Sequence, residues 1–204
     1  AITEQRKYLT LTKSFVSPFQ EEIIKDLPLR TGGISELICV YPENKSFMET
    51  FEKQGNQYAY RKGVDNFLAP SKVGYYSSKF GLVMNILNNS SGVAIVYSNL
   101  VEGGARLFAM CLEEHGYVNA IGEPIFKPSG EVQKGSKGKY VMFTGDTTDT
   151  EIKNALIRLK DRRNVDGSDI RVIIASPKVS EGVDFKYVRQ IHVLDPWFNM
   201  SRIE

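Results

Sequence analysis

The chain has 204 residues, of which 42% are hydrophobic and 25% are charged, and this composition is typical of a soluble globular protein. Its formal net charge of +2 neither requires nor excludes a nucleic-acid partner, because a local stripe of charge matters more than the total. No apolar stretch approaches the length of a membrane-spanning helix, and the polar start AITEQRKYLT lacks the apolar core of a signal peptide. These features predict an intracellular protein with no membrane partner. The absence of any CxxC pair argues against a zinc site.

The first part of the chain, residues 1–75, has no clear hydrophobic period. Short apolar runs predict a strand at Leu9–Leu11, a helix at Phe19–Leu27 and a second strand at Ile34–Tyr41. We interpret this part as a linker or N-terminal extension that packs on the main domain.

A regular alternation of strands and helices begins at about residue 76. Apolar spacing predicts a helix over Lys79–Leu87, and a continuous apolar run predicts a strand over Val93–Tyr97. Asn99 precedes Glu102 by three residues, which is the pattern of an N-cap with a capping-box partner. The helix after it is predicted to bury four residues: Leu107, Phe108, Cys111 and Leu112.

The same pattern continues to the end of the chain. Strands are predicted at Tyr140–Phe143, Arg171–Ala175 and Gln190–Leu194. Between the first two, Thr148 and Glu151 form a second capping-box pattern. The helix after it has a stripe that we expect to be buried: Ile152, Ala155, Leu156 and Leu159. Apolar strands that alternate with amphipathic helices indicate an α/β domain whose mainly parallel sheet has helices on both faces.

Catalytic motifs are missing from the sequence. There is no G-x-x-x-x-G-K-[ST], and the basic glycine cluster Gly135–Lys139 lacks the spacing that wraps a triphosphate. There is no nucleophile elbow and no H-E-x-x-H, so we predict no catalytic residue and no metal ligand. Small polar residues instead follow the predicted strands, at the edge of the sheet where α/β proteins bind ligands. These are Ser98 with Asn99, Thr144 to Asp146, Ser176, and Ser180 to Asp184.

Four segments resemble the second lobe of superfamily 2 helicases. Ile173–Phe185 (IIASPKVSEGVDF) resembles motif V, which is a strand, a small hydroxyl residue and then Gly-x-Asp. Val93–Asn99 resembles motif IV, and Phe143–Asp146 lies where the family has an aromatic- or His-Gly turn. Val188–Glu204 (VRQIHVLDPWFNMSRIE) resembles helicase-like ATPases of large DNA viruses, including the poxvirus early transcription factor and nucleoside triphosphatase families.

The resemblance covers residues 76–204 and implies a RecA-like fold for them. In the similar viral proteins the last run leads directly into motif VI, Q-x-x-G-R-x-x-R. We therefore expect the chain to be truncated at Glu204, before motif VI.

Residue roles follow from the resemblance alone. It implies that Glu181, Gly182 and Asp184 face ATP from the second lobe, with Asp184 near the ribose. It implies contacts to the nucleic-acid backbone for Ser98, Asn99, Gly145, Ser176 and Lys178. Two positions depart from the family pattern, because Pro177 and Lys178 stand where many helicases have Asp and an apolar residue.

The sequence and its resemblance leave two functions open, an ATP-driven motor lobe and a binding module without enzymatic activity. In the first, the chain is the second motor lobe of an ATP-dependent helicase or translocase in viral transcription or replication, located in the virion or host cytoplasm. Its partners would be nucleic acid, DNA in preference to RNA, and a first RecA-like lobe with a P-loop. ATP and Mg²⁺ would bind to the full-length protein, and we expect neither to bind to this chain alone. In the second, the chain is a non-enzymatic RecA-like module that binds nucleic acid or a transcription protein.

Overall fold

The computed structural model describes residues 17–24, 38–130, 135, 137–177 and 184–195. Their strands are β1 (Phe51–Gln54), β2 (Gln57–Tyr60), β3 (Val93–Tyr97), β4 (Tyr117–Asn119), β5 (Gly138–Phe143), β6 (Ile170–Ala175) and β7 (Val188–Val193). Their α-helices are α1 (Pro18–Ile24), α2 (Phe47–Thr50), α3 (Val73–Tyr76), α4 (Ser78–Asn88), α5 (Leu107–Glu114) and α6 (Asp149–Lys160).

Strands β3 to β7 form one parallel sheet with the order β4-β5-β6-β3-β7. Two cores cover its two faces, because successive residues of a strand point to opposite sides. The first core joins Val96 of β3 to Phe80 of α4 and Phe108 of α5. The second joins Val93 of β3 to Leu159 of α6. The predicted α/β architecture with helices on both faces is confirmed, and it is consistent with a RecA-like fold.

The predicted strands of the main domain agree closely with the structure. β3 has the predicted bounds, and β5, β6 and β7 begin one or two residues before the predicted positions. The helix predicted at Lys79–Leu87 corresponds to α4, and α5 buries all four of the predicted residues. Within the described ranges, no helix is both long and apolar enough to cross a membrane.

The residues before α4 contribute to the first core. Eight of them are buried in it: Ile38, Cys39, Tyr41, Phe47, Phe51, Phe67, Leu68 and Val73. Strands β1 and β2 form an antiparallel hairpin, and Gly55 takes the positive φ of 64° that its turn requires. Tyr58 N donates to Ile125 O at 2.8 Å, and Lys127 N donates to Tyr58 O at 2.8 Å. The hairpin is thereby joined to the segment between β4 and β5, while a domain boundary after residue 75 stays a prediction.

Predictions for this first part were partly wrong. The helix predicted at Phe19–Leu27 overlaps α1, whereas Leu9–Leu11 and residues 25–37 lie outside the described residues. The strand predicted at Ile34–Tyr41 is wrong for its described part, residues 38–41. Val40 N there donates to Tyr76 O at 3.0 Å, so its backbone bonds to a helix end and not to a strand.

Helix α6 begins as predicted, but its buried face is narrower. Thr148 and Glu151 form the reciprocal capping box. Ala155 and Leu159 are fully buried, whereas Ile152 and Leu156 are only partly buried against the second core. The expectation that the whole stripe is buried is therefore corrected.

The capping box predicted at Asn99 is wrong. A π-helical turn, Val101–Arg106, precedes α5, and it has no side-chain cap. Glu102 pairs with Arg106 (Oε1 to Nη1, 3.2 Å), and the side chain of Asn99 bonds to Asp195. Asp195, which is distant in sequence, accepts a hydrogen bond from the Asn99 side chain, whereas the local pattern predicted that this side chain would cap the helix.

Candidate functional site

Three of the four groups of polar residues predicted after the strands meet at the carboxyl edge of the sheet: Ser98 with Asn99, Thr144 to Asp146, and Ser176. The fourth group was predicted wrongly for its described residue, because Asp184 pairs with Lys160 at the far end of α6. Backbone hydrogen bonds continue past the strand ends: Ser176 N to Phe143 O (3.2 Å), Ser98 N to Ala175 O (3.1 Å) and Leu194 N to Tyr97 O (2.9 Å). Gly145 follows β5 by two residues and is exposed. Three of the predicted nucleic-acid contacts, Ser98, Gly145 and Ser176, therefore follow adjacent strands at one edge.

A crevice is expected between the ends of β3 and β6. After β3 the chain turns into α5, which packs in the first core. After β6 the chain reaches Phe185, which packs in the second core. The described residues that next follow the two strands, α5 and Phe185, thus pack on opposite faces, as expected at the topological switch point where open α/β sheets bind ligands. Ser98 and Ser176 lie on its two sides.

The two serine side chains at this switch point are buried. Ser98 is 0% exposed and Ser176 is 1% exposed. The Ser98 hydroxyl donates to Leu100 O at 3.1 Å and accepts from Leu100 N at 3.2 Å. A Cβ on Gly104 would lie 1.9 Å from Ser98 Oγ, so glycine is required where the π-helical turn passes over this hydroxyl. Ser98 therefore shapes the turn after β3 in this structure.

Asn99 belongs to a hydrogen-bonded network with the end of β7. Its backbone N donates to both carboxylate oxygens of Asp195, at 3.0 Å and 2.9 Å. Its side-chain Nδ2 donates to Asp195 O at 2.8 Å, and its Oδ1 accepts from the Tyr97 hydroxyl at 3.0 Å. These contacts fix the amide orientation and place Asn99, half-buried, beside the crevice.

Asp195 and Lys79 are site residues that the sequence analysis missed. Asp195 is 3% exposed, and burial raises the pKa of its carboxyl against the opposing effects of Ser98, Asn99 and Lys79. Lys79 Nζ donates to Leu194 O, and burial lowers the pKa of its ammonium to about 8, although the charge of Asp195 acts in the opposite direction. A charged group from α4 thus reaches the same strand ends.

The predicted ATP-facing residues are described only in part. Glu181 and Gly182, with Lys178 of the nucleic-acid set, lie outside the described residues. Asp184 is exposed and pairs with Lys160 in the last turn of α6 (Oδ2 to Nζ, 3.6 Å). That turn is at the opposite end of α6 from the carboxyl edge. The ATP contacts stay predictions.

Charged residues at the amino edge pair with each other. Asp169, just before β6, accepts hydrogen bonds from Arg158 at 2.7 Å and 2.9 Å and from Lys139 at 2.9 Å. Across the ranges that the structure describes, no group of three or more His, Cys, Asp or Glu side chains is arranged to hold a metal ion.

Sequence comparisons match the chain to viral helicases. No protein-family model matches it. It is 29% identical over 204 residues to a protein of Acanthamoeba polyphaga mimivirus that is named as an ATP-dependent RNA helicase, covering 100% of this chain and 31% of that protein. It is 30% identical over 131 residues to a protein of Invertebrate iridescent virus 3 that is named as a helicase, covering 62% of this chain and 13% of that protein.

A third relative carries a different name. The chain is 26% identical over 151 residues to a termination factor NPH-I homolog of African swine fever virus, covering 62% of this chain and 21% of that protein. The chain therefore spans about a third or less of the length of these relatives. The predicted resemblance is confirmed: this chain is a homologue of viral proteins named as helicases and as NPH-I.

Proposed function

We propose that the chain is the second motor lobe of an ATP-dependent helicase or translocase and that its carboxyl edge contacts the nucleic-acid backbone. The supporting observation is the switch point between β3 and β6, flanked by Ser98, Asn99 and Ser176, in a homologue of viral helicases. At this edge Asn99 is half-buried and Gly145 is exposed, and small polar groups and backbone amides of this kind suit phosphate oxygens. ATP, with Mg²⁺, would bind between this lobe and a P-loop lobe, and Glu181, Gly182 and Asp184 would face it from this side.

The proposed strand is DNA in preference to RNA, and the proposed process is viral transcription or replication. The mimivirus relative is named as an RNA helicase and the African swine fever virus relative as a termination factor. A test therefore uses both kinds of strand, at equal length and ionic strength.

The test is an amide chemical-shift titration of this chain with single-stranded DNA and, separately, single-stranded RNA. We expect weak binding that is lost at high salt, because only a few phosphates are contacted. Shifts should concentrate at Ser98, Asn99 and Gly145. The amides of Gly138 and Ile170, which begin β5 and β6 at the amino edge, are the internal control. Shifts confined to the amino edge, or no shifts with either strand, would contradict the proposal.

The alternative function, a binding module without ATPase coupling, predicts the same amide shifts in this titration. The two functions differ when this chain is present in one protein with a P-loop lobe and motif VI. A motor lobe is expected to support ATP hydrolysis that nucleic acid stimulates, because closure on ATP needs both lobes. A binding module would leave the hydrolysis rate unchanged when nucleic acid is added.

A further inference from the structure

Asp195 is a buried carboxylate with an uncommon set of contacts. Both of its carboxylate oxygens accept from one backbone donor, Asn99 N, at 3.0 Å and 2.9 Å, and its backbone O accepts from Asn99 Nδ2 at 2.8 Å. Asn99 lies 96 residues before it in the sequence. Asp195 therefore joins the end of β7 to the first turn after β3, beside the switch point between β3 and β6.

A role in packing alone does not explain why an acid occupies the buried position of Asp195. A buried carboxylate is costly, and apolar residues often fill such positions with equal or better stability. A carboxylate beside a proposed phosphate site would also repel the strand unless its charge is balanced.

Lys79 supplies the balancing charge, and its own position is otherwise unfavourable. It is the second residue of α4, and the positive end of a helix dipole disfavours a cation there. It extends to Leu194 O, next to Asp195, although 115 residues separate Lys79 from Leu194 in sequence. Two groups whose charges are individually unfavourable thus lie near each other at the exits of β3 and β7, and each partly offsets the effect of burial on the pKa of the other.

We propose that Asp195 is a positioning residue for the nucleic-acid site, which holds Asn99 in the binding conformation without contacting the strand. This inference rests on the proposed function. A half-buried side chain such as Asn99 that is fixed before binding needs no ordering when the strand arrives, so affinity depends on the residue that fixes it. Lys79, which bonds to Leu194 O next to the acid, is a positive charge that partly offsets the charge of Asp195.

Glu113 provides a matched control within the same chain. It is also a 3% exposed carboxylate with backbone and hydroxyl donors: Ile125 N (3.1 Å), Phe126 N (2.6 Å) and the Tyr140 hydroxyl (2.8 Å). It lies in the last turn of α5, away from the carboxyl edge. Replacing either acid disturbs buried hydrogen bonds, and only Asp195 lies at the carboxyl edge beside the switch point.

The experiment compares Asp195→Asn, Asp195→Ala and Glu113→Gln in this chain. Melting temperatures are measured first, and binding of a fluorescein-labelled single-stranded oligonucleotide is then followed by anisotropy well below the lowest of them. We expect all three variants to melt earlier than the unsubstituted chain. Asp195→Ala should weaken binding by about tenfold or more. The affinity of Asp195→Asn should lie between those of Asp195→Ala and the unsubstituted chain, because the amide keeps one acceptor oxygen. Glu113→Gln should bind with the same affinity as the unsubstituted chain.

Three outcomes would overturn the inference. Equal affinity of Asp195→Asn and the unsubstituted chain would show that Asp195 only stabilises the fold, and the proposed function would stand. Equal loss of affinity in Glu113→Gln would show that binding follows global stability. If the unsubstituted chain binds neither DNA nor RNA, the proposed function fails and this inference fails with it. Asp195→Asn keeps the test decisive if Asp195→Ala does not fold.

Discussion

Asp169 holds the charged network at the amino edge. Arg158 donates to both of its carboxylate oxygens and also to Ala120 O at 2.7 Å, and Lys139 adds a third charged donor. The Arg158 guanidinium is the main cause that keeps the pKa of the Asp169 carboxyl well below its usual range. This network joins α6, β5 and the residue before β6.

Acid should weaken this network. The folded-state pKa of Asp169 is depressed, so its contribution to stability is present above the unfolded pKa of about 4 and is lost as pH falls below it. The side chains of Arg158 and Asp169 are each about a third exposed, and solvent screening limits the contribution to about 1 kcal/mol.

Asp169→Asn should therefore lower the free energy of unfolding at pH 7 and change it less at lower pH. Denaturant unfolding at several pH values checks this, with the exposed Asp146→Asn as control. A pH-independent difference would contradict the assignment.

Asn99 shows why residue roles were harder to predict than residue positions. The sequence places it at the carboxyl edge correctly, because it follows a continuous apolar strand. Its N-x-x-E spacing to Glu102 also fits a capping box, and no local signal reveals that Asp195 takes the side chain instead. Asp195 and Lys79 were missed for the same reason, since their roles depend on contacts between strand ends that only the fold brings together.

The α6 helix allows a graded test of side-chain burial. Leu159 is 0% exposed, Leu156 is partly buried and Ile157 is 70% exposed. Leu159→Ala should cost about 2–5 kcal/mol, because it leaves a cavity in the second core. Leu156→Ala should cost less, about 1–2 kcal/mol. Ile157→Ala should change stability by less than about 0.5 kcal/mol. Denaturant unfolding ranks the three variants, and a different order would mean that α6 packs with another face.

Strands and helices with a long, uninterrupted hydrophobic pattern could be predicted from the sequence, and short elements could not. β3 is a run of five apolar residues, VAIVY, and its bounds were predicted correctly. β4 has only three residues, so its apolar content gives no period. The β1–β2 hairpin has two four-residue strands with mixed polarity, and it is stabilised by distant contacts such as Tyr58 with Ile125.

The whole chain is expected to lack ATPase activity by itself. Phosphoryl transfer needs the phosphates cradled, a magnesium ion held and the developing charge neutralised. The sequence contains no P-loop, and Glu181, Gly182 and Asp184 would touch ATP from one side only. Half a site buries little of the ligand, so ATP affinity should be in the millimolar range, about −4 kcal/mol.

Phosphate release with and without nucleic acid measures the activity, and calorimetry measures ATP binding. A chain joined to a P-loop lobe and motif VI is the positive control. Sustained turnover by the chain alone would contradict its assignment as a second lobe.

The strand order of the sheet has a consequence for biosynthesis. β3 pairs with β6 and β7, which follow it by about 80 and 95 residues. At roughly 5–20 residues per second, a nascent chain exposes the VAIVY segment for several seconds before either partner strand is made. During that interval the helices made before β6, which are α4, α5 and later α6, can cover the faces of β3, but its strand partners are absent. We expect the nascent chain to need protection from aggregation at this segment, and refolding of the finished chain to be slow compared with that of helical domains of similar size.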